Sequence, residues 1–96
     1  MPETTIKMTP FVNCQFLYQA LIKLCEETGE AAQAFYKSDI KNAGEVSQAD
    51  VDNFVEECAD VMQAAFNIIV RCGYDVQEVI DVVTAKNMER EYYNAE

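Results

Sequence analysis

The sequence predicts an all-α fold, a helical bundle completed by homo-oligomerisation, and three observations carry that prediction. Apolar residues recur at helical spacing in three separate stretches, and each stretch follows a residue suited to cap a helix. No alternating run is bounded by the dipeptides that turn a β-hairpin. Half of the 96 residues are hydrophobic and only three are Gly and two Pro, so the chain reads as one folded domain, 1–96, rather than a disordered tail.

In the first stretch Pro10 stands near a helix start with Thr9 as its cap. The apolar spacing runs through Phe16, Leu17, Ala20, Leu21, Leu24, Ala31, Ala34 and Phe35, a helix of roughly six or seven turns. Periodicity is lost from Ser38 to Val46, where Asp39, Asn42 and Gly44 predict a loop. Ser47 with Asp50 resembles a capping box and opens a second helix carrying Val51, Phe54, Val55, Cys58, Val61, Met62, Ala65, Phe66 and Ile69, stopped by Gly73. Asp75 with Glu78 starts a third, striped by Val76, Val79, Ile80 and Val83 and ending near Tyr93. Three such helices bury only a modest core, and the broad apolar face of the second predicts that self-association completes it.

Charge excludes some functions. Seventeen acids against seven basic residues leave a net charge of −10, which disfavours nucleic acid and anionic membranes as partners. If the ligand is nevertheless a phosphate ester, something other than protein cations must offset its charge, and clustered carboxylates could recruit a divalent metal to do so. The cysteines (Cys14, Cys25, Cys58, Cys72) show no zinc spacing, and His is absent. The polar N-terminal segment has no signal-peptide core and no long apolar run follows, so the expectation is a soluble, cytoplasmic protein with reduced thiols and no membrane partner.

The informative feature is an internal repeat. With an offset of 30, Leu24-Cys-Glu-Glu-Thr-Gly-Glu-Ala-Ala-Gln-Ala34 aligns with Phe54-Val-Glu-Glu-Cys-Ala-Asp-Val-Met-Gln-Ala64. At about 100° per residue, Ala20, Leu24, Ala31 and Ala34 lie between roughly −20° and +60° of Glu27, which therefore sits inside the apolar stripe. Glu30 falls at its edge. In the second helix Phe54, Val61, Ala64 and Ile68 surround Glu57 in the same way, and Asp60 takes the edge position. Four carboxylates beside a core cannot all stay charged and unpaired, and a bound cation resolves the conflict. Oxygen-only ligands select a hard ion, Mg²⁺ or alternatively Mn²⁺; a di-iron site of the Glu-x-x-His kind is excluded by the absence of His.

Glu26-Glu27-x-x-Glu30 followed by Glu57-x-x-Asp60 resembles the EExxE…ExxD signature of the MazG-like all-α nucleoside triphosphate pyrophosphohydrolases, from about Leu17 to Arg90. The resemblance implies a single MazG-like domain that hydrolyses a nucleoside triphosphate, NTP or dNTP and possibly GTP or dGTP, to the monophosphate and pyrophosphate with Mg²⁺. It implies a site formed within a homo-oligomer, a homodimer or homotetramer. It makes Glu27, Glu30, Glu57 and Asp60 the metal ligands and Glu26 the residue that orients or deprotonates the attacking water. On the third helix Lys86, Asn87 and Arg90 continue the apolar stripe with cations and an amide, where the family places polar nucleotide contacts. Lys23, on the Glu27 side of the first helix, is a further candidate for a carboxylate or a phosphate.

The rival from another class is a non-catalytic acidic helical protein, such as a DNA mimic that occupies a basic groove on its partner. A mimic spreads its acids over the exposed surface, whereas the repeat gathers four beside apolar stripes. Tyr18, Tyr36, Phe11, Phe16 and the Tyr92-Tyr93 pair read as core or interface before base-stacking groups. Cys25 and Cys58 read as small hydrophobes rather than nucleophiles.

Overall fold

The computed structural model describes residues 3–12, 16–38 and 46–90, so the loop expected from Ser38 to Val46 lies largely outside the described residues; the third helix ends at Glu89 with Arg90 as its C-cap, short of Tyr93, which itself lies outside the described residues. Three helices form in chain order: α1 (Leu17–Lys37), α2 (Gln48–Arg71) and α3 (Val76–Glu89). The described residues contain no strand, and the class is all-α.

The helix boundaries follow local chemistry. Ser47 caps α2 by accepting the Asp50 N–H on its hydroxyl at 3.1 Å, and Asp75 caps α3 by accepting the Glu78 N–H on its carboxylate at 3.2 Å. Gly73 stops α2 with φ at +83°, a left-handed conformation that costs a Cβ-bearing residue about 1 kcal/mol or more. Its N–H donates to the Val70 carbonyl at 2.9 Å while the Tyr74 N–H reaches back to Ile69 at 3.3 Å, the paired reversal of a Schellman ending.

The start of α1 differs from the reading that placed its cap at Thr9 and its first turn at Pro10. Residues 3–12 are not helical, and α1 begins at Leu17, where the Gln19 side chain accepts the Phe16 N–H at 3.3 Å. The physical reason lies on α2. Asn67, 5 % exposed, accepts the Phe11 N–H at 3.1 Å and the Gln63 amide at 2.9 Å, and that amide also donates to the Thr9 carbonyl at 2.9 Å. Two side chains of α2 thus take up the Phe11 N–H and the Thr9 carbonyl, the latter a group that a helix capped at Thr9 would have spent on its own first turn.

α1 and α2 lie antiparallel and pack along their length: Phe35 near the end of α1 meets Phe54 near the start of α2, with ring centroids 5.5 Å apart. Ala20, Ala31 and Ala64 are the only buried apolar residues among those described, and small side chains at the contact let the two backbones approach. α3 is different. It touches α2 only briefly, and none of its residues is buried.

Candidate metal centre

The α1–α2 pair brings the two halves of the repeat together. Ligand oxygens of Glu27, Glu57 and Asp60 lie within 4.8 Å of one another, from positions near the middle of α1 and of α2. Oxygens on one octahedral Mg²⁺ at about 2.1 Å stand about 3.0 Å apart when adjacent and about 4.2 Å apart when opposite, so the three carboxylates would draw closer together to share a single hard ion.

Burial grades across the cluster. Glu27, which the periodicity places inside the apolar stripe, is 8 % exposed; Glu57 is half-buried; Asp60 faces solvent. Glu27 has a partner, the Lys23 ammonium 3.1 Å away on the preceding turn. Glu57 does not: its Oε2 is sealed from solvent and accepts no hydrogen bond. A carboxylate with one oxygen closed to solvent and without a hydrogen bond is stabilised by a positive charge that reaches it, which a divalent cation would supply.

Glu30 lies outside the triple yet feels it. The negative charge of Glu27, then desolvation, then the charge of Glu57 raise its carboxyl above the ordinary carboxylate range, with Lys23 opposing. Lys23 is shifted upward in turn, first by its hydrogen bond to Glu27 and by that carboxylate's charge. The metal-free cluster is therefore a frustrated one, with more negative charge than its single lysine balances.

The remaining sequence candidates separate. Glu26 turns to solvent, as its angular offset of about 100° from Glu27 requires, and its nearest cation is Lys23 at 3.8 Å. Lys86 and Arg90 are exposed on α3 and neither forms an ion pair with the cluster; Asn87 is half-buried on the same helix. Among the described residues the structure thus pairs Lys23 with the acids and gives Lys86 and Arg90 no ion pair to them. The residues that the sequence reading passed over are Gln63 and Asn67, which hold the N-terminal segment against α2. Their signal was present: two amides spaced i, i+4 inside an otherwise apolar stretch.

The described residues also enclose an open groove of about 790 Å³ between the N-terminal segment, α2 and α3, and none of the four repeat acids lines it. No described helix is long and apolar enough to cross a membrane. Comparison with protein-family models, with curated proteins and with solved structures finds no match to this chain. The likeness to the MazG-like enzymes therefore rests on the sequence motifs alone.

Proposed function

We propose that this protein is a metal-dependent nucleoside triphosphate pyrophosphohydrolase, acting as a homodimer or homotetramer, with Mg²⁺, or Mn²⁺ in its place, as cofactor. The observation that carries the reading is the sealed, unpartnered Oε2 of Glu57 among converging carboxylates of two helices. Glu27, Glu57 and Asp60 would hold the ion, with Glu30 completing the set. When bound, the ion supplies the positive charge that triphosphate oxygens need and makes water acidic enough to attack.

The other roles belong to the chain. Glu26, exposed beside the cluster, takes the proton of the water whose oxygen attacks the α-phosphorus, and the bond from that phosphorus to the bridging oxygen breaks to release pyrophosphate. Lys23 pairs with Glu27 in the metal-free state and is free to turn to a phosphate once the ion neutralises that carboxylate. Lys86 and Arg90 bind phosphate oxygens, and Asn87 contacts the base. An acidic binding protein that mimics DNA is the weaker reading, because it has no use for a carboxylate oxygen hidden from both solvent and partner.

The test is product analysis by ion-exchange chromatography on a panel of NTPs and dNTPs, with and without Mg²⁺ or Mn²⁺. Monophosphate and pyrophosphate in equal amounts, only with metal, is the expected outcome. No turnover of any nucleotide by a folded, metal-loaded protein would remove the proposal and leave the acidic binding role.

A further inference from the structure

We infer that Lys23 is an internal competitor of the metal: its ammonium holds Glu27 while the centre is empty and has to let go before an ion can bind there. The inference rests on the proposed metal centre and adds its regulation, a threshold of divalent ion below which the chain keeps its own cation in place.

The pair is uneven. Glu27 is 8 % exposed and fixed near the middle of α1, whereas the Lys23 side chain is 54 % exposed and reaches Glu27 Oε1 at 3.1 Å from the preceding turn. An ammonium on a flexible four-carbon stem regains its hydration when it leaves, while the carboxylate stays where the helix aims it. One partner can move and the other cannot.

Helix stability does not explain the placement. Lys23 stands four residues before Glu27, the order in which an i, i+4 pair supports a helix less well than the reverse. The exposed Glu26 is also within reach, yet the ammonium lies 3.8 Å from it and 3.1 Å from the buried Glu27. The closer contact is the one with the cluster.

The lysine answers only part of that cluster. Among the described residues it pairs with Glu27 and Glu26 but not with Glu57 or Asp60, and the Oε2 of Glu57 has no hydrogen bond from it or from any other group. A divalent ion brings twice the charge and can reach all three converging carboxylates. It cannot simply join the lysine. A dication about 2.1 Å from a Glu27 oxygen would repel, across a short and partly desolvated gap, an ammonium 3.1 Å from the same carboxylate.

Competition has a sign that a structural ion pair does not share. Loss of a pair that shapes the site would weaken metal binding, whereas loss of a competitor leaves the site easier to fill.

The test measures equilibrium binding of Mn²⁺ to wild type, Lys23→Met and Lys23→Arg by electron paramagnetic resonance of the free ion. A second readout, on the wild type alone, is acylation of each lysine by acetic anhydride with and without Mg²⁺, followed by mass spectrometry. Removing a half-exposed competitor should tighten Mn²⁺ binding by roughly two- to fivefold in Lys23→Met, and Lys23→Arg, which keeps the cation, should stay near wild type. Saturating Mg²⁺ should raise the acylation of Lys23 and leave that of Lys7 and Lys37 unchanged. Should Lys23→Met lose its helical signal, the acylation of the wild type decides. Equal or weaker Mn²⁺ binding by a folded Lys23→Met, or acylation of Lys23 that Mg²⁺ does not raise, would overturn the inference while the metal centre stands. No Mn²⁺ binding by any of the three proteins would overturn the centre itself, and the inference with it.

Discussion

The α1–α2 pair and α3 are built from the same local signals and end in opposite states. Both α2 and α3 begin on a side-chain cap, Ser47 and Asp75, and both carry an apolar stripe. Yet α1 and α2 pack along each other through alanines, whereas α3 has its stripe only partly covered. Local chemistry is enough to start and stop a helix; burial depends on what the chain places opposite it. The pair, having found its packing, holds acidic side chains at that contact, which is the arrangement the proposed metal centre requires.

The largest effect expected within the pair is at Glu57. Glu57→Gln removes a charge whose Oε2 has no protein partner, so metal-dependent hydrolysis should fall by roughly 100-fold or more while the circular dichroism spectrum stays helical. Turnover at the wild-type rate would take Glu57 out of the ligand set and reduce the pair to ordinary packing.

Next comes Asn67→Ala. It strips the acceptor from the Phe11 N–H and from the Gln63 amide, and should cost about 1–3 kcal/mol in chemical denaturation, with faster exchange over residues 3–12. Unchanged exchange there would mean that the segment is held by its apolar contacts instead.

The caps sharpen the contrast between the two regions. Ser47→Ala and Asp75→Ala should each cost about 1 kcal/mol locally. In α2, held by α1, the loss should appear in global unfolding; in α3, it should appear as lost exchange protection of 76–89 in dilute protein, with the pair unaffected. Equal global losses would show α3 to be as tightly integrated as α2.

The smallest effect is electrostatic. The Glu30 carboxyl is raised above its ordinary value by Glu27 and Glu57, so in metal-free protein the stability linked to it is fully present below its unfolded pKa and is lost as pH rises through the raised folded one. Glu30→Gln should therefore slightly raise the melting temperature of metal-free protein at neutral pH and flatten its rise on mild acidification, while weakening metal binding. A melting temperature indifferent to both changes would separate Glu30 from the cluster.

Much of this was legible in residue order, and the exceptions share a cause. Ser47, Asp75 and Gly73 mark boundaries because caps and left-handed stops act within one turn. Glu27, Glu57 and Asp60 converge because a helical repeat of fixed period aims them alike, and Glu26 turns outward by the same arithmetic. Thr9-Pro10 reads as a helix start but is not one, since Asn67 and Gln63, more than 50 residues away, hold the backbone of the segment. The relation of Lys86, Asn87 and Arg90 to the acids depends on the tilt of α3. No local rule sets that tilt, and packing has to supply it.

The most direct measurement is a Mn²⁺ titration of wild type and Glu57→Gln, followed by electron paramagnetic resonance with the melting temperature read on the same samples. Saturable binding that stabilises the wild type, competes with Mg²⁺ and is lost in Glu57→Gln is the result expected of a metal centre between α1 and α2. Equal binding by both proteins, or none by either, would contradict it.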